Sequence, residues 1–141
     1  MRLVRALGLA ALALLLALAT APLRAQDVQA VPALSARVID TTGTLAAAER
    51  DALEQRLAAF EAQAGPQIVL LMVATTAPED IAAYAQRVAD TWKIGRRDVG
   101  DGVLVVVARD DRRVRIEVAK ALEGAIPDLA ARQIIDRAMR T

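Results

Sequence analysis

The stretch that decides the fold is Val99-Gly100-Asp101-Gly102-Val103-Leu104-Val105-Val106-Val107-Ala108, followed by Arg109-Asp110-Asp111-Arg112 and then Arg113-Val114-Arg115-Ile116-Glu117-Val118. Val103 to Ala108 is an unbroken apolar run bounded by turn residues, the pattern of a strand buried on both faces. Arg109 to Arg112 is too polar to continue it and reads as a hairpin tip. Arg113 to Val118 then alternates, with Val114, Ile116 and Val118 on one side and Arg113, Arg115 and Glu117 on the other. That period of two marks a half-exposed strand at a sheet edge, where the charges keep the edge soluble.

Upstream, Ile68-Val69-Leu70-Leu71-Met72-Val73 within residues 67–74 is a second fully apolar run, read as a buried strand. Between the two runs, Ile81, Tyr84, Ala85, Val88, Ala89 and Trp92 recur at steps of three and four, the period of a helix. Pro78 suits the first turn of that helix and Gly95 its stop. Before the first strand, residues 46–64 predict another helix, with Leu53, Leu57, Phe60 and Ala64 inward and Thr44 as its cap. Gly65-Pro66 ends it. Arg37 to Asp40 is a short extended entry, and Pro127-Asp128 starts a third helix carrying Leu129, Ala130, Ile134, Ile135 and Ala138. Strand, helix, strand implies a parallel crossover, and the hairpin adds an antiparallel strand. The expectation is an α/β fold: a three-layer α/β/α sandwich on a small mixed sheet.

The N-terminus has the form of an export signal. Arg2 and Arg5 precede an almost unbroken Leu/Ala run from Leu7 to Ala19, and Leu23-Arg24-Ala25 before Gln26 suits cleavage. Residues 1–25 are therefore expected to be a signal peptide, 26–36 a linker and 37–141 the domain, placed in the periplasm or cell envelope. The run is shorter than the ~20 residues a membrane span needs. The 141-residue chain has 18 basic and 17 acidic side chains. The signal holds Arg2, Arg5 and Arg24 and no acid, so 18 less 3 leaves 15 basic against 17 acidic, a net of −2 for the remainder. Basicity is thus a property of the signal and is no argument for nucleic-acid binding. Scarce aromatics also argue against a base-stacking surface.

There is no cysteine and no histidine. This excludes disulfides, Ser-His-Asp and Cys-His catalysis, and imidazole or thiolate metal sites. Any metal would be a hard cation on oxygen ligands, calcium or magnesium, and no organic cofactor is indicated. The topology puts loops 94–102 and 119–128 at one end of the sheet. Asp101, Glu123 and Asp128, with Asp98 beside them, share that rim and form the candidate metal set; the same three are the candidate catalytic residues. Each taken singly is an ordinary turn or capping residue. Gly95, Gly100 and Gly102 do not make a phosphate loop, because the segment lacks Gly-Lys-Ser/Thr and runs from helix to strand. Trp92 completes a core face but its indole N–H needs a partner, a rim carbonyl or carboxylate. Lys120 reads as a solvated charge, and Asp40 is expected at the opposite end.

Several blocks in order give the chain a resemblance to the TPM domain family: Asp40 with Gly43 and Leu45, Gly65-Pro66-Gln67-Ile68, Tyr84-Ala85, Trp92-Lys93-Ile94-Gly95, Gly100-Asp101-Gly102-Val103-Leu104 and Leu122-Glu123-Gly124. The resemblance runs from about Val38 to the end. It implies an α/β/α sandwich and an envelope or thylakoid-lumen setting. Family members are described as divalent-cation-binding acid phosphatases, photosystem repair factors and accessory proteins of membrane complexes. Two features depart from the pattern. Alanines flank Lys120 where glycines are frequent, so a positive φ there would be strained. The family also continues with a further helix, so the domain is expected to be truncated beyond Thr141. The leading expectation is a periplasmic, cation-binding accessory module with envelope or membrane-protein partners. The alternatives are a metal-assisted phosphatase acting on phosphomonoesters and a purely structural interaction domain.

Overall fold

The computed structural model describes residues 1–19, 27–95, 100–122, 124, 133 and 135. Helix α1 (Arg2–Ala19) comes first, then β1 (Val38–Asp40), α2 (Ala47–Ala64), β2 (Gln67–Val73), α3 (Ile81–Trp92), β3 (Gly102–Ala108), β4 (Arg113–Val118) and a short 3-10 turn (Lys120–Leu122). The sheet runs β1-β2-β3-β4. The first three strands are parallel, with Asp40 beside Met72 and Leu71 beside Val106, and β4 returns antiparallel with Ile116 beside Val105. The mixed sheet is the expected one. Of the helix expected from Pro127, only Gln133 and Ile135 are described, both helical, and the rest lies outside the described residues.

One face of the sheet carries the tight core. Val69, Leu71 and Val73 of β2 and Leu104, Val106 and Ala108 of β3 meet Tyr84, Ala85 and Val88 of α3, all buried. These are the α3 residues whose spacing announced an inward face, and period-two alternation selects the strand residues that join them. Helix α2 lies on the opposite face beside β1 and β2, and none of its side chains belongs to that core. Leu53 and Leu57 are half-buried, but Phe60 is 43% exposed and Ala64 is exposed. The expectation that all four point inward is therefore corrected. The helix is held as much by charge as by apolar contact. Glu54 accepts the backbone N–H groups of Arg37 (3.1 Å) and Val38 (2.8 Å), and the Arg37 guanidinium bridges Glu54 at 3.2 Å and Glu61 at 2.6 Å. Glu54 thereby supplies the acceptor that the short edge strand lacks.

Three caps differ from the sequence reading. Thr44 does not cap α2: Ala46 is the capping position and makes no side-chain bond. Asp40 acts instead from the end of β1, its carboxylate accepting Thr42 N–H (2.8 Å), Thr42 Oγ1–H (2.6 Å) and Leu45 N–H (2.8 Å). Pro78 stands outside α3 after a cis Ala77–Pro78 bond. Asp80 caps α3 by accepting from Ala83 N–H at 2.8 Å. The helix stops at Lys93, which is left-handed (φ 49°) and donates its N–H to Ala89, two residues before Gly95. No positive φ occurs at Ala119, Lys120 or Ala121, so the strain expected of those alanines is absent.

Asp40 and Glu54 set a pH dependence. Partial burial works to raise both pKa values, but hydrogen bonds outweigh it: those from Thr42 and Leu45 on Asp40, and those from Arg37 and Val38 on Glu54. Both carboxyls are held below their ordinary values. A lowered folded pKa contributes stability that is present above the unfolded value and is lost as pH falls through the folded one. Chemical denaturation is therefore expected to show a plateau near neutrality and a decline beginning below about pH 4.5. The decline should flatten in the Asp40→Asn/Glu54→Gln variant; an unchanged acid limb in that variant would refute this assignment.

The segment from residue 27 to 36 is irregular but docked. The Trp92 indole donates to the Pro32 carbonyl at 2.8 Å, Arg87 Nη2 donates to the Gln29 carbonyl at 2.5 Å, and Gln29 Nε2 donates to Ala77 O at 3.1 Å. Val31 packs on the core. The partner of Trp92 is thus a carbonyl of this strap rather than of the rim. Helix α1, by contrast, exposes its leucines and adds nothing to the core, so the core lies wholly within the chain from residue 27 onward. The charge-free part of α1, residues 6–19, is about 21 Å long at 1.5 Å per residue. Among the described residues no helix is long and apolar enough to cross a membrane.

Candidate functional site at the strand-entry rim

The rim where β2 and β3 begin is built by two segments in backbone contact. Gly95 has φ 108°, and a Cβ on it would lie 2.6 Å from Gly102 N and 2.8 Å from Asp101 N. A Cβ on Gly102 would run into the carbonyl of Ile94. Only glycine allows the chain leaving α3 to cross the chain entering β3 this closely. Gln67 clamps the crossing: its side-chain oxygen accepts Gly95 N–H at 2.9 Å and its own N–H donates to Asp101 O at 3.2 Å. Ala119 N–H closes the far side onto Gly102 O at 2.9 Å. The loops after α3 and after β4 therefore do meet, as the topology required.

A cavity of about 890 Å³ opens here between the end of α3 and the end of β4. Ala89, Ile94, Val118 and Ala119 form its apolar wall; Gln86, Asp90, Lys93, Glu117 and Lys120 supply its polar groups. Glu117 is already paired with Arg115 at 3.2 Å. Lys93 and Lys120 are exposed and make no ion pair among the described residues. The described wall is thus mixed in charge, with Asp90 and Glu117 beside two ammoniums that are in no ion pair among the described residues.

Asp101 is 1% exposed and sits between two residues that line the cavity, Gly100 and Gly102, without lining it itself. Among the described residues every fully buried side-chain polar atom has a hydrogen-bond partner, as a buried carboxylate requires. Asp98, Glu123 and Asp128 lie outside the described residues, and among the described residues no group of three acids is placed to hold a metal. One carboxylate beneath a wall bearing two lysines does not by itself fit calcium or magnesium, which take six or more oxygens. Sequence reasoning gave Gln67, Lys93 and Gln86 no role at the rim. Gln67 was visible as the first residue of a strand and as part of a family block, and nothing in its spacing marks its side chain as a clamp.

No curated protein matches the chain significantly. Among solved structures, the N-terminal domain of a Porphyromonas gingivalis protein is similar at 27% identity and a TM-score of 0.67, over 73% of this chain and 66% of that one. The N-terminal domain of a Corynebacterium glutamicum protein shares the fold at 15% identity and a TM-score of 0.56, over 79% of this chain and 76% of that one. The family model of the TPM domain matches residues 38–141, most of the chain, and the protein belongs to the TPM domain family.

Proposed function

We propose that this chain is an exported TPM module that works by binding at its rim, as an accessory domain of envelope or membrane proteins. The observation that carries the reading is the cavity wall. It combines carboxylates, ammoniums and a carboxamide, with no hydroxyl or other strong nucleophile among the described residues that line it. Covalent catalysis needs a nucleophile beside its base; a binding site needs complementary polar groups on a rigid frame, and the glycine crossing supplies the frame. Export rests on Arg2 and Arg5 in the first turn of α1, ahead of its exposed apolar run. The periplasm or cell envelope is the corresponding location, with residues 26–141 left near the membrane after processing.

Calcium or magnesium enters this proposal through Asp101 together with Asp98, Glu123 and Asp128, the acids that the sequence leads one to expect on the rim. The test is calorimetric titration of each cation into residues 26–141, beside Asp101→Ala/Glu123→Ala/Asp128→Ala. A Glu123→Ala/Asp128→Ala variant that keeps the buried Asp101 guards against loss of folding. Saturable binding lost in both variants is the expected result. No binding to the folded wild type removes the cation and leaves the binding module alone. Phosphomonoester turnover is measured on the same samples. Steady turnover abolished by Asp101→Asn would overturn the binding reading in favour of a phosphatase.

A further inference from the structure

A second, smaller cavity lies at the opposite end of the molecule, outside the carboxyl ends of β1 and β2. Its volume is about 190 Å³. Thr41, Val73 and Thr75 come from those strand ends, Tyr84 from α3, and Gln29, Ala30 and Pro32 from the docked strap. In open α/β sheets, the carboxyl ends of the strands are where ligand crevices form.

The chemistry of the wall is specific. Tyr84 is 1% exposed, and its hydroxyl makes no hydrogen bond among the described residues. No fully buried side-chain polar atom lacks a partner there, so the hydroxyl is the part of the side chain that still reaches solvent, at the cavity that Tyr84 lines. The hydroxyls beside it are committed as donors: Thr41 to Met72 O at 3.0 Å, and Thr75 to the Asp111 carboxylate at 2.9 Å. Gln29 commits one amide hydrogen to Ala77 O. Thr75 Oγ1 also accepts Ala77 N–H at 3.1 Å. What remains is the Tyr84 O–H and the second amide hydrogen of Gln29 as donors, with acceptor lone pairs on Thr41 and the Gln29 side-chain oxygen. Burial pushes the phenol's pKa up, so it stays protonated and able to donate at neutral pH. Among the described residues no Lys, Arg, Asp or Glu lines the cavity. The nearest charges are already engaged, Arg87 over the Tyr84 ring with Glu79 and Asp111 with Thr75 and Thr76, so a charged guest would lose its hydration there without a free counter-charge.

We propose that this cavity is a binding site for a small neutral molecule with an apolar body and one group that both accepts and donates a hydrogen bond, an alcohol or a primary amide. Its volume is of the order of an engineered cavity that takes benzene, about 150 Å³. The strap is part of the site, so the site exists only while residues 29–32 are docked through Arg87 and Trp92. It is independent of the rim and of the proposed function there.

The test uses amide NMR of residues 26–141, which contain the whole described core. Benzyl alcohol and benzamide are titrated as neutral probes; benzoate and benzylamine are their charged counterparts of similar shape. The expected result is saturable shifts at Thr41, Thr75 and Tyr84 with the neutral pair and none with the charged pair. Tyr84→Phe should weaken binding roughly 3- to 10-fold, the worth of one hydrogen bond. Ala30→Phe, at an exposed position on the cavity wall, should block binding and covers the case in which Tyr84→Phe does not fold. Absence of saturable shifts with the neutral probes would mean that only water occupies the cavity. That outcome, equal binding of the charged probes, or undiminished affinity in folded Tyr84→Phe each overturns the proposal.

Discussion

Gly102→Ala is expected to destabilise the domain by about 3 kcal/mol, lowering the thermal midpoint by roughly 12–24 °C at 4–8 °C per kcal/mol. The added methyl would point into the Ile94 carbonyl, with the Ile94 carbonyl carbon only 2.5 Å away. Those obstacles are backbone, so no rotamer change relieves them. Moving Ile94 outward would pull its neighbour Gly95 off Gln67, and moving Gly102 instead would pull it off Ala119, so either escape opens a hydrogen bond of the rim. Gly43 is the control: its φ is +66°, but a methyl added there would meet nothing within 4 Å, so Gly43→Ala should cost only about 1 kcal/mol for the left-handed conformation. Urea denaturation of both variants measures the contrast, and a Gly102→Ala cost no larger than that of Gly43→Ala would refute the close crossing.

Leu104→Ala should cost about 2–5 kcal/mol, while Phe60→Ala should cost under about 1 kcal/mol. Leu104 is 0% exposed in the central strand β3 and lies in the core beneath α3. Removing its side chain leaves a void that neighbours on two strands and a helix cannot fill. Phe60 is the larger residue, but it is 43% exposed on α2, and most of its ring is already in water. On residue type alone the order would be reversed. Thermal melts of the two variants decide it, and a larger loss for Phe60→Ala would mean that the tight core lies under α2.

Much of the candidate site followed from topology, which the chain's periodicities carry directly. Once β2 and β3 are parallel and β4 antiparallel, the segments after α3 and after β4 must share an end, and Gly102 and Ala119 meet there. The charge pattern at that end was less legible. Lys93 and Lys120 are ordinary surface residues in one dimension, and they become a pair only because the sheet brings a helix end beside a strand end. Asp101 looked like an exposed turn residue because Asp-Gly usually is one. It is buried at the glycine crossing, where its backbone lies within 2.8 Å of a Cβ built on Gly95.

By itself the sequence determined β2, β3 and β4, the inward face of α3 and the mixed sheet. Each of these depends on local composition or on a period that a short window contains. Tertiary structure alone decided which sheet face holds the tight core, and that Glu54 and Asp40 serve backbone donors rather than solvent. It also decided that Asp80 caps α3 in place of Pro78, and that Trp92 and Arg87 hold a strap some 60 residues away in sequence. Those features consist of hydrogen bonds and contacts between distant segments. Which acceptor lies within 3 Å of a given donor is set by how the layers close, and no periodicity along the chain records that distance.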